Sequence, residues 1–121
     1  MNPFEYALLR AIPQVQRGER VNVGVVLYCQ ERDYLAARTH VDAGRLGALD
    51  PDLDLAAVEE ALVAVCRTCE GEGPAGETSR GQRFGWLTAP RSTVLQAGPV
   101  HGGLTDDPAA ELERLVQALV R

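Results

Sequence analysis

Residues 83–103, RFGWLTAPRSTVLQAGPVHGG, concentrate the side chains of this sequence that are best suited to binding. Two guanidinium groups flank an indole, and prolines and paired glycines bend a segment whose apolar residues are otherwise typical of a strand. A guanidinium beside an indole can hold a planar or anionic group through hydrogen bonds and stacking. We therefore predict a binding or interaction surface that includes Arg83, Trp86, Arg91, Ser92, Gln96 and His101.

The alternative for this stretch is a packing role. Phe84 and Trp86 would then belong to the core, Arg83 would pair with an acid, and Ser92 would satisfy a turn. The two interpretations differ in the exposure of the indole, which the sequence does not decide.

Two positions in residues 20–29, RVNVGVVLYC, indicate a close approach by a ligand or by another backbone. Apolar residues alternate there with the period of a β-strand, and one face carries a valine row: Val21, Val23, Val25, Leu27 and Cys29. Asn22 and Gly24 fall on the other face, although a strand interior disfavours both residue types. They mark either a binding surface or a β-bulge at Gly24.

Catalytic and metal chemistry have weaker signals. The residue types of a serine hydrolase are present in Ser92, His101 and Asp106 or Asp107. A turn at residues 98–99 would pair His101 with about Gln96 and leave Ser92 out of reach, and no G-x-S-x-G elbow exists. We therefore assign no catalytic residue.

Cys66 and Cys69 form a C-x-x-C, which is half of a zinc signature that Cys29 and His101 could in principle complete. Both cysteines also lie in or near the apolar stripe of a predicted helix, as small buried hydrophobes do. We expect no metal and no cofactor.

Two further polar groups have simple explanations. His40, beside Arg38, is either part of an anion site or a solvated bystander, and we favour the bystander. The run Asp50, Asp52 and Asp54 lacks the glycine and the closing glutamate of a calcium loop, so we interpret it as helix capping.

The elements that position these residues indicate one α+β domain over residues 1–121. Strands are predicted at 4–12, 20–29 and 34–41, with a further strand-like stretch at 83–103. A helix begins at Leu55, capped by Asp52 or Asp54, and another follows Asp107 and Pro108. Residues 42–53 are predicted as a loop with one helical turn, and residues 71–82 as a flexible loop.

We expect a mainly antiparallel sheet with these two amphipathic helices packed on one face, over the valine row. The opposite face would then present Asn22, Arg38 and His40 to solvent, with residues 83–103 at that side or at the sheet edge.

The composition narrows the class of protein. The chain has 121 residues, 45% of them hydrophobic and 24% charged, with a net charge of -5. No apolar run is long enough for a membrane span, and no leader is apparent. Three cysteines suit a reducing compartment, so we expect a cytoplasmic protein. The negative charge disfavours nucleic-acid binding, although all twelve basic residues are arginines, which suit carboxylate or phosphate.

Two blocks, ERVNVGVVLYC and RFGWLTAPRSTVLQAGPVHGGLTDDPAAELERL, resemble the bacterial family called domain of unknown function 3037 (DUF3037). The resemblance spans nearly the whole chain and assigns no activity. It implies a protein partner of the HipA-like kinase fold, since genes for such proteins often lie beside members of this family. The motif positions are Glu19, Arg20, Asn22, Gly24, Phe84, Trp86, Arg91, Ser92, Gln96 and His101.

Two classes of function follow. The first is a non-enzymatic protein-interaction module with Trp86 and Arg91 as anchors, which requires an exposed indole on an apolar patch. The second is an enzyme or binding protein for a phosphate- or carboxylate-bearing small molecule, such as a nucleotide, held by Asn22, Arg83, Arg91 and His101. This second function requires a cavity that encloses Arg91 and His101. The oligomeric state is not determined by the sequence.

Overall fold

The computed structural model describes residues 1–14, 16–73, 77–91 and 93–121. That part of the chain contains five strands and four α-helices, and the helices are interspersed among the strands. They are β1 (Asn2–Ala11), β2 (Val21–Cys29), β3 (Tyr34–Thr39), α1 (Ala43–Leu49), α2 (Leu55–Cys69), α3 (Arg80–Leu87), β4 (Leu95–Ala97), β5 (His101–Thr105) and α4 (Pro108–Leu119). The α+β class and the antiparallel sheet are confirmed.

β1 is the centre of the sheet because its residues are apolar on both faces. It pairs with β2 along one edge, and β3 adds to the far side of β2. Along its other edge β1 pairs with β5 near its beginning and with β4 near its end. A strand of this kind needs cover on both sides, which the helices provide.

The helices lie on both faces of the sheet, not on one as the sequence suggested. α1, α2 and α3 contribute to one core cluster with Leu9, Val21 and Val23. α4 packs on the opposite face against β2 and β3, in a second cluster with Val25 and Leu27. The valine row of β2 is therefore divided between the two faces.

A β-bulge is the physical reason for this division. Leu9 pairs with Gly24, but the next residue of β1, Arg10, pairs with Asn22, so Val23 is an extra residue in β2. One extra residue reverses the alternation of side chains from that point on. The interpretation of Gly24 as a bulge position is confirmed.

Local capping signals place the helices that the sequence predicted. Asp54 accepts a hydrogen bond from the Ala57 amide at 3.1 Å and begins α2, and Asp107 accepts one from the Ala110 amide at 3.2 Å and begins α4. The capping role of the acidic run is therefore confirmed at Asp54. α1 is a two-turn helix, longer than the single turn predicted.

The segment that begins at residue 83 starts as a helix and not as a strand. Ser79 and Gln82 form a capping box at the start of α3. The loop predicted at residues 71–82 therefore ends at Ser79, and its last three residues belong to the helix. Residues 74–76 of that loop lie outside the described residues. Phe84 and Leu87, three positions apart, are the buried face of a helix too short to show a clear period.

β4 and β5 form one interrupted edge strand, so the predicted turn at residues 98–99 is wrong. Leu9 pairs with Ala97 and Tyr6 pairs with His101, which leaves one extra residue between the two short strands. The chain passes this bulge and continues along β1. Among the described helices, none is both long and apolar enough to cross a bilayer.

Candidate functional site

Trp86 is the most prominent side chain of the site because α3 places its indole outward. The residue is 49% exposed, whereas Phe84 and Leu87 on the same helix are buried. The Arg91 guanidinium lies over the indole, with Cζ at 4.6 Å from the ring centroid. Its Nη2 also donates to the Trp86 carbonyl at 2.7 Å. The Arg91 guanidinium therefore packs on the exposed indole and is also bonded to the α3 backbone.

An apolar hollow lies beside this pair, between α2, α3 and the start of β4. Its volume is about 200 Å³, and its lining includes Ala61, Val65, Trp86, Leu87, Arg91 and Leu95. The exposed indole and the hollow together form an apolar surface, which we call the Trp86 shelf. Such a surface suits an apolar side chain from another molecule.

A second depression, of about 440 Å³, is also lined by Arg91. We call it the arginine groove, and its lining includes Arg10, Arg20, Arg91, Gln96, Gly98 and Pro99. No acidic residue of the described chain lines it. It lies at the end of the sheet where β1 finishes and β2 begins.

Arg10 reaches this groove through the alternation of β1. It shares a face with Tyr6 and Leu8, and it pairs in register with Gln96 of β4. Its guanidinium lies flat against Gly98, where an added Cβ would be only 2.8 Å from Arg10 Cζ. The bulge between β4 and β5 therefore provides the space that the Arg10 side chain occupies.

The cations of the groove have no acidic partner among the described residues. The nearest acid in sequence, Glu19, forms an ion pair with Arg17, and this pair leaves Arg20 free. Among the described residues, the other side-chain ion pairs are Arg38 with Glu113 and Arg114 with Glu111. Gln96 donates through Nε2 to the Thr93 carbonyl at 2.9 Å. Its Oε1 accepts no hydrogen bond from the described residues.

A family model with the description "Protein of unknown function (DUF3037)" matches residues 6–120, which is nearly the whole chain. The chain belongs to the DUF3037 family. This match confirms the resemblance seen in the two sequence blocks. No curated protein and no solved structure gives a match.

Two motif positions of this DUF3037 chain have structural roles. Asn22 does not face solvent freely, because its Nδ2 donates to the Leu119 carbonyl at 3.0 Å and so satisfies the C-terminal end of α4. Gly24 is buried, and an added Cβ would lie 2.9 Å from the Arg38 carbonyl oxygen. The neighbouring strand therefore occupies the space over Gly24, and no ligand reaches it.

Arg83 does not join Arg91 at the indole. It is only 7% exposed and lies on the inner side of α3, where its Nε has no hydrogen-bond partner in the described part of the chain. Burial raises the pKa of the Cys69 thiol of α2, and the nearby Arg83 charge opposes that rise.

His101 lies outside the arginine groove. Its ring contacts the Tyr6 ring in a tilted arrangement, with centroids 5.3 Å apart, and its place in register is four β1 residues from Arg10. That spacing corresponds to about 13 Å along a strand. The expected cavity enclosing Arg91 and His101 is therefore not formed.

The residues proposed for a hydrolase are occupied elsewhere or not described. Asp106 pairs with the N-terminal ammonium group at 3.2 Å, and Asp107 caps α4. Ser92 lies outside the described residues, so its place in the binding surface remains a prediction from sequence.

The cysteines are separated by the sheet. Cys29 belongs to the α4 cluster, whereas Cys69 belongs to the cluster on the opposite face, so Cys29 cannot complete a site with Cys66 and Cys69. Burial raises the pKa of the Cys66 thiol and raises that of Cys69 to about 12. A thiol that stays protonated at neutral pH is a poor metal ligand and a poor nucleophile.

His40 is exposed at the end of β3, and the neighbouring Arg38 pairs with Glu113 of α4 at 3.9 Å. Arg38 is therefore directed toward α4. Another depression, of about 780 Å³, lies along the outer side of α2, and its lining includes Glu59, Glu60, Arg67 and Glu72. None of the predicted site residues lines it.

Sequence reasoning missed Arg10 as a site residue. The signal was present, since Arg10 is the one charged residue on the β1 face that also carries Phe4, Tyr6 and Leu8. A charge in such a row marks the place where the apolar cover of a sheet ends.

Proposed function

We propose that this DUF3037 chain is a non-enzymatic protein-interaction module that docks a partner on the Trp86 shelf. One observation carries the proposal: a tryptophan that is 49% exposed is held by an arginine beside an apolar hollow. Tryptophan and arginine are the residues that most often dominate protein interfaces. The proposal accounts for an exposed indole that contributes little to the core.

The contact of Arg91 with the indole favours binding. A cation–π contact at an exposed site stabilises a pair of side chains by about 0.5–1 kcal/mol, and here a hydrogen bond to the backbone of Trp86 adds to it. A side chain that is already ordered loses less conformational entropy when a partner covers it. The shelf is therefore preorganised.

A HipA-like kinase-fold protein is the first partner to test, and the cytoplasm is the proposed setting. The setting is supported by three free thiols, which suit a reducing compartment.

The test is a pull-down from the native host with wild type, Trp86→Ala and Leu104→Ala. Leu104 is the matched control because it is also a large exposed apolar residue, at 59%, but lies on β5 and lines neither the shelf nor the groove. We expect a specific partner to be recovered by wild type and Leu104→Ala and lost with Trp86→Ala. Circular dichroism must show that all three proteins are folded.

Recovery of the same proteins by all three chains would contradict the proposal, as would recovery of none. A HipA-like protein that binds both variants equally would show that this partner uses another surface.

A second candidate function is a site for a phosphate- or carboxylate-bearing small molecule. The arginine groove favours it, because its three guanidinium groups have no described acid beside them. Inorganic phosphate or a nucleotide would then raise the melting temperature of wild type and not that of Arg10→Gln. The net charge of -5 makes nucleic acid the least favoured ligand.

A further inference from the structure

We infer that the arginine groove recognises the carboxylates of an acidic protein segment whose apolar residue occupies the Trp86 shelf. The inference rests on the proposed function and names the chemistry of the partner. It also assigns a binding role to Arg10, which the family resemblance did not indicate.

The first step of the argument is charge complementarity. Arg10, Arg20 and Arg91 approach one groove from β1, from the residue before β2 and from the loop after α3. Like charges in one depression repel one another, and no acid of the described chain offsets them there. An anionic partner would remove this repulsion and form charge-assisted hydrogen bonds with planar donors.

The second step is continuity between the two surfaces. Arg91 lines both the apolar hollow and the arginine groove, so the two depressions share one wall. One N–H group of Arg91 is used by the Trp86 carbonyl, and its remaining donors are available. A partner that fills both depressions must carry acidic residues close to an apolar one.

The third step concerns the shape of the groove. Arg20 is exposed at the surface, and Arg10 and Arg91 are only half-buried. A small-molecule site usually encloses most of its ligand. An extended segment needs no such enclosure, because it gains affinity from several contacts along its length.

The experiment is a selection of phage-displayed random dodecapeptides on wild type, followed by affinity measurement of the selected peptides. The variants are Trp86→Ala, Arg10→Gln and Arg20→Gln, with Arg45→Gln as the matched control. Arg45 is an exposed arginine of α1 that lines neither depression. Titrations with inorganic phosphate and pyrophosphate run in parallel.

We expect selected peptides to combine an apolar residue with two or more Asp or Glu residues. Each groove variant should weaken binding roughly tenfold, as the loss of one charge-assisted hydrogen-bonding group does. Arg45→Gln should bind like wild type, and Trp86→Ala should not bind.

Gly98→Ala is a second variant that keeps all charges. An added Cβ there would displace the Arg10 guanidinium, so we expect weaker binding of the acidic peptides without any change in net charge.

The outcomes separate the two proposals. Peptides that require Trp86 but carry no acidic residues, and that ignore Arg10→Gln and Arg20→Gln, overturn this inference and leave the proposed function intact. Selection of no peptide, or binding that ignores Trp86→Ala, overturns both. Pyrophosphate or phosphate binding that depends on Arg10, without acidic peptides, overturns the inference in favour of a small anion.

Discussion

Gly24→Ala tests whether the motif glycine of β2 is structural. The added Cβ would lie 2.9 Å from the Arg38 carbonyl oxygen and 3.2 Å from side-chain carbons of both Leu9 and Thr39. The Arg38 carbonyl belongs to the β3 backbone and cannot move without disturbing the ladder between β2 and β3. The methyl group therefore has no space.

The magnitude follows from two opposing effects. Overpacking a core costs roughly 1–3 kcal/mol, whereas replacing glycine by alanine gains about 0.4–1 kcal/mol by restricting the unfolded chain. The free energy of unfolding should fall by about 1–2 kcal/mol. For a chain of this size that lowers the melting temperature by roughly 3–10 °C.

Gly85→Ala is the matched control, because Gly85 is exposed on α3 and an added Cβ meets nothing within 4 Å. There the same change should stabilise the protein by about 0.5–1 kcal/mol. Thermal and urea unfolding, followed by circular dichroism, measure both effects. A Gly24→Ala protein as stable as wild type would refute the reasoning and restore Gly24 as a candidate for ligand approach.

Two further predictions concern side chains away from the binding surface. Asn22→Ala should lower the free energy of unfolding by about 1 kcal/mol and speed hydrogen exchange at the Val120 amide, because Asn22 holds the end of α4. Gln117→Ala, at an exposed position of the same helix, should have neither effect. Unchanged exchange in Asn22→Ala would contradict this prediction. Burial raises the pKa of Cys69 from its ordinary value of 9.0 to about 12 in the folded protein. The contribution of the protonated thiol to the free energy of unfolding is therefore fully present below pH 9.0 and is lost as pH rises toward 12. Cys69→Ala should therefore lose less stability than wild type between about pH 9 and pH 11 in urea unfolding. Equal pH dependence of the two proteins would contradict it.

The failures of prediction have specific causes. Period and capping signals act within a few residues, so β2, α2 and α4 could be predicted from sequence, and α3 could not because it shows little more than two turns. The bulge at Gly24 was one of two alternatives that the sequence left open, and the bulge after Ala97 was not predicted, because a bulge is defined by register against β1. A glycine alone does not distinguish a bulge from a site of close approach.

In the candidate site, too, contacts between near neighbours in the chain were predictable, whereas placements that depend on strand register and helix packing were not. Trp86 and Arg91 are five residues apart, and their contact was expected from residue types and proximity alone. His101 was expected across a turn from Gln96, and near Arg91 in the small-molecule hypothesis, yet the chain continues along β1 and carries His101 to Tyr6. Asn22 was expected to be open, but α4 covers its side of β2.

The sequence by itself determined the α+β composition, the caps of α2 and α4 and the acidic net charge. These properties depend on residue type and on interactions between near neighbours in the chain. Only the tertiary structure decided that helices cover both faces of the sheet and that Arg10, Arg20 and Arg91 line one groove. Strand order and register bring those three residues together, and both result from packing of the whole chain.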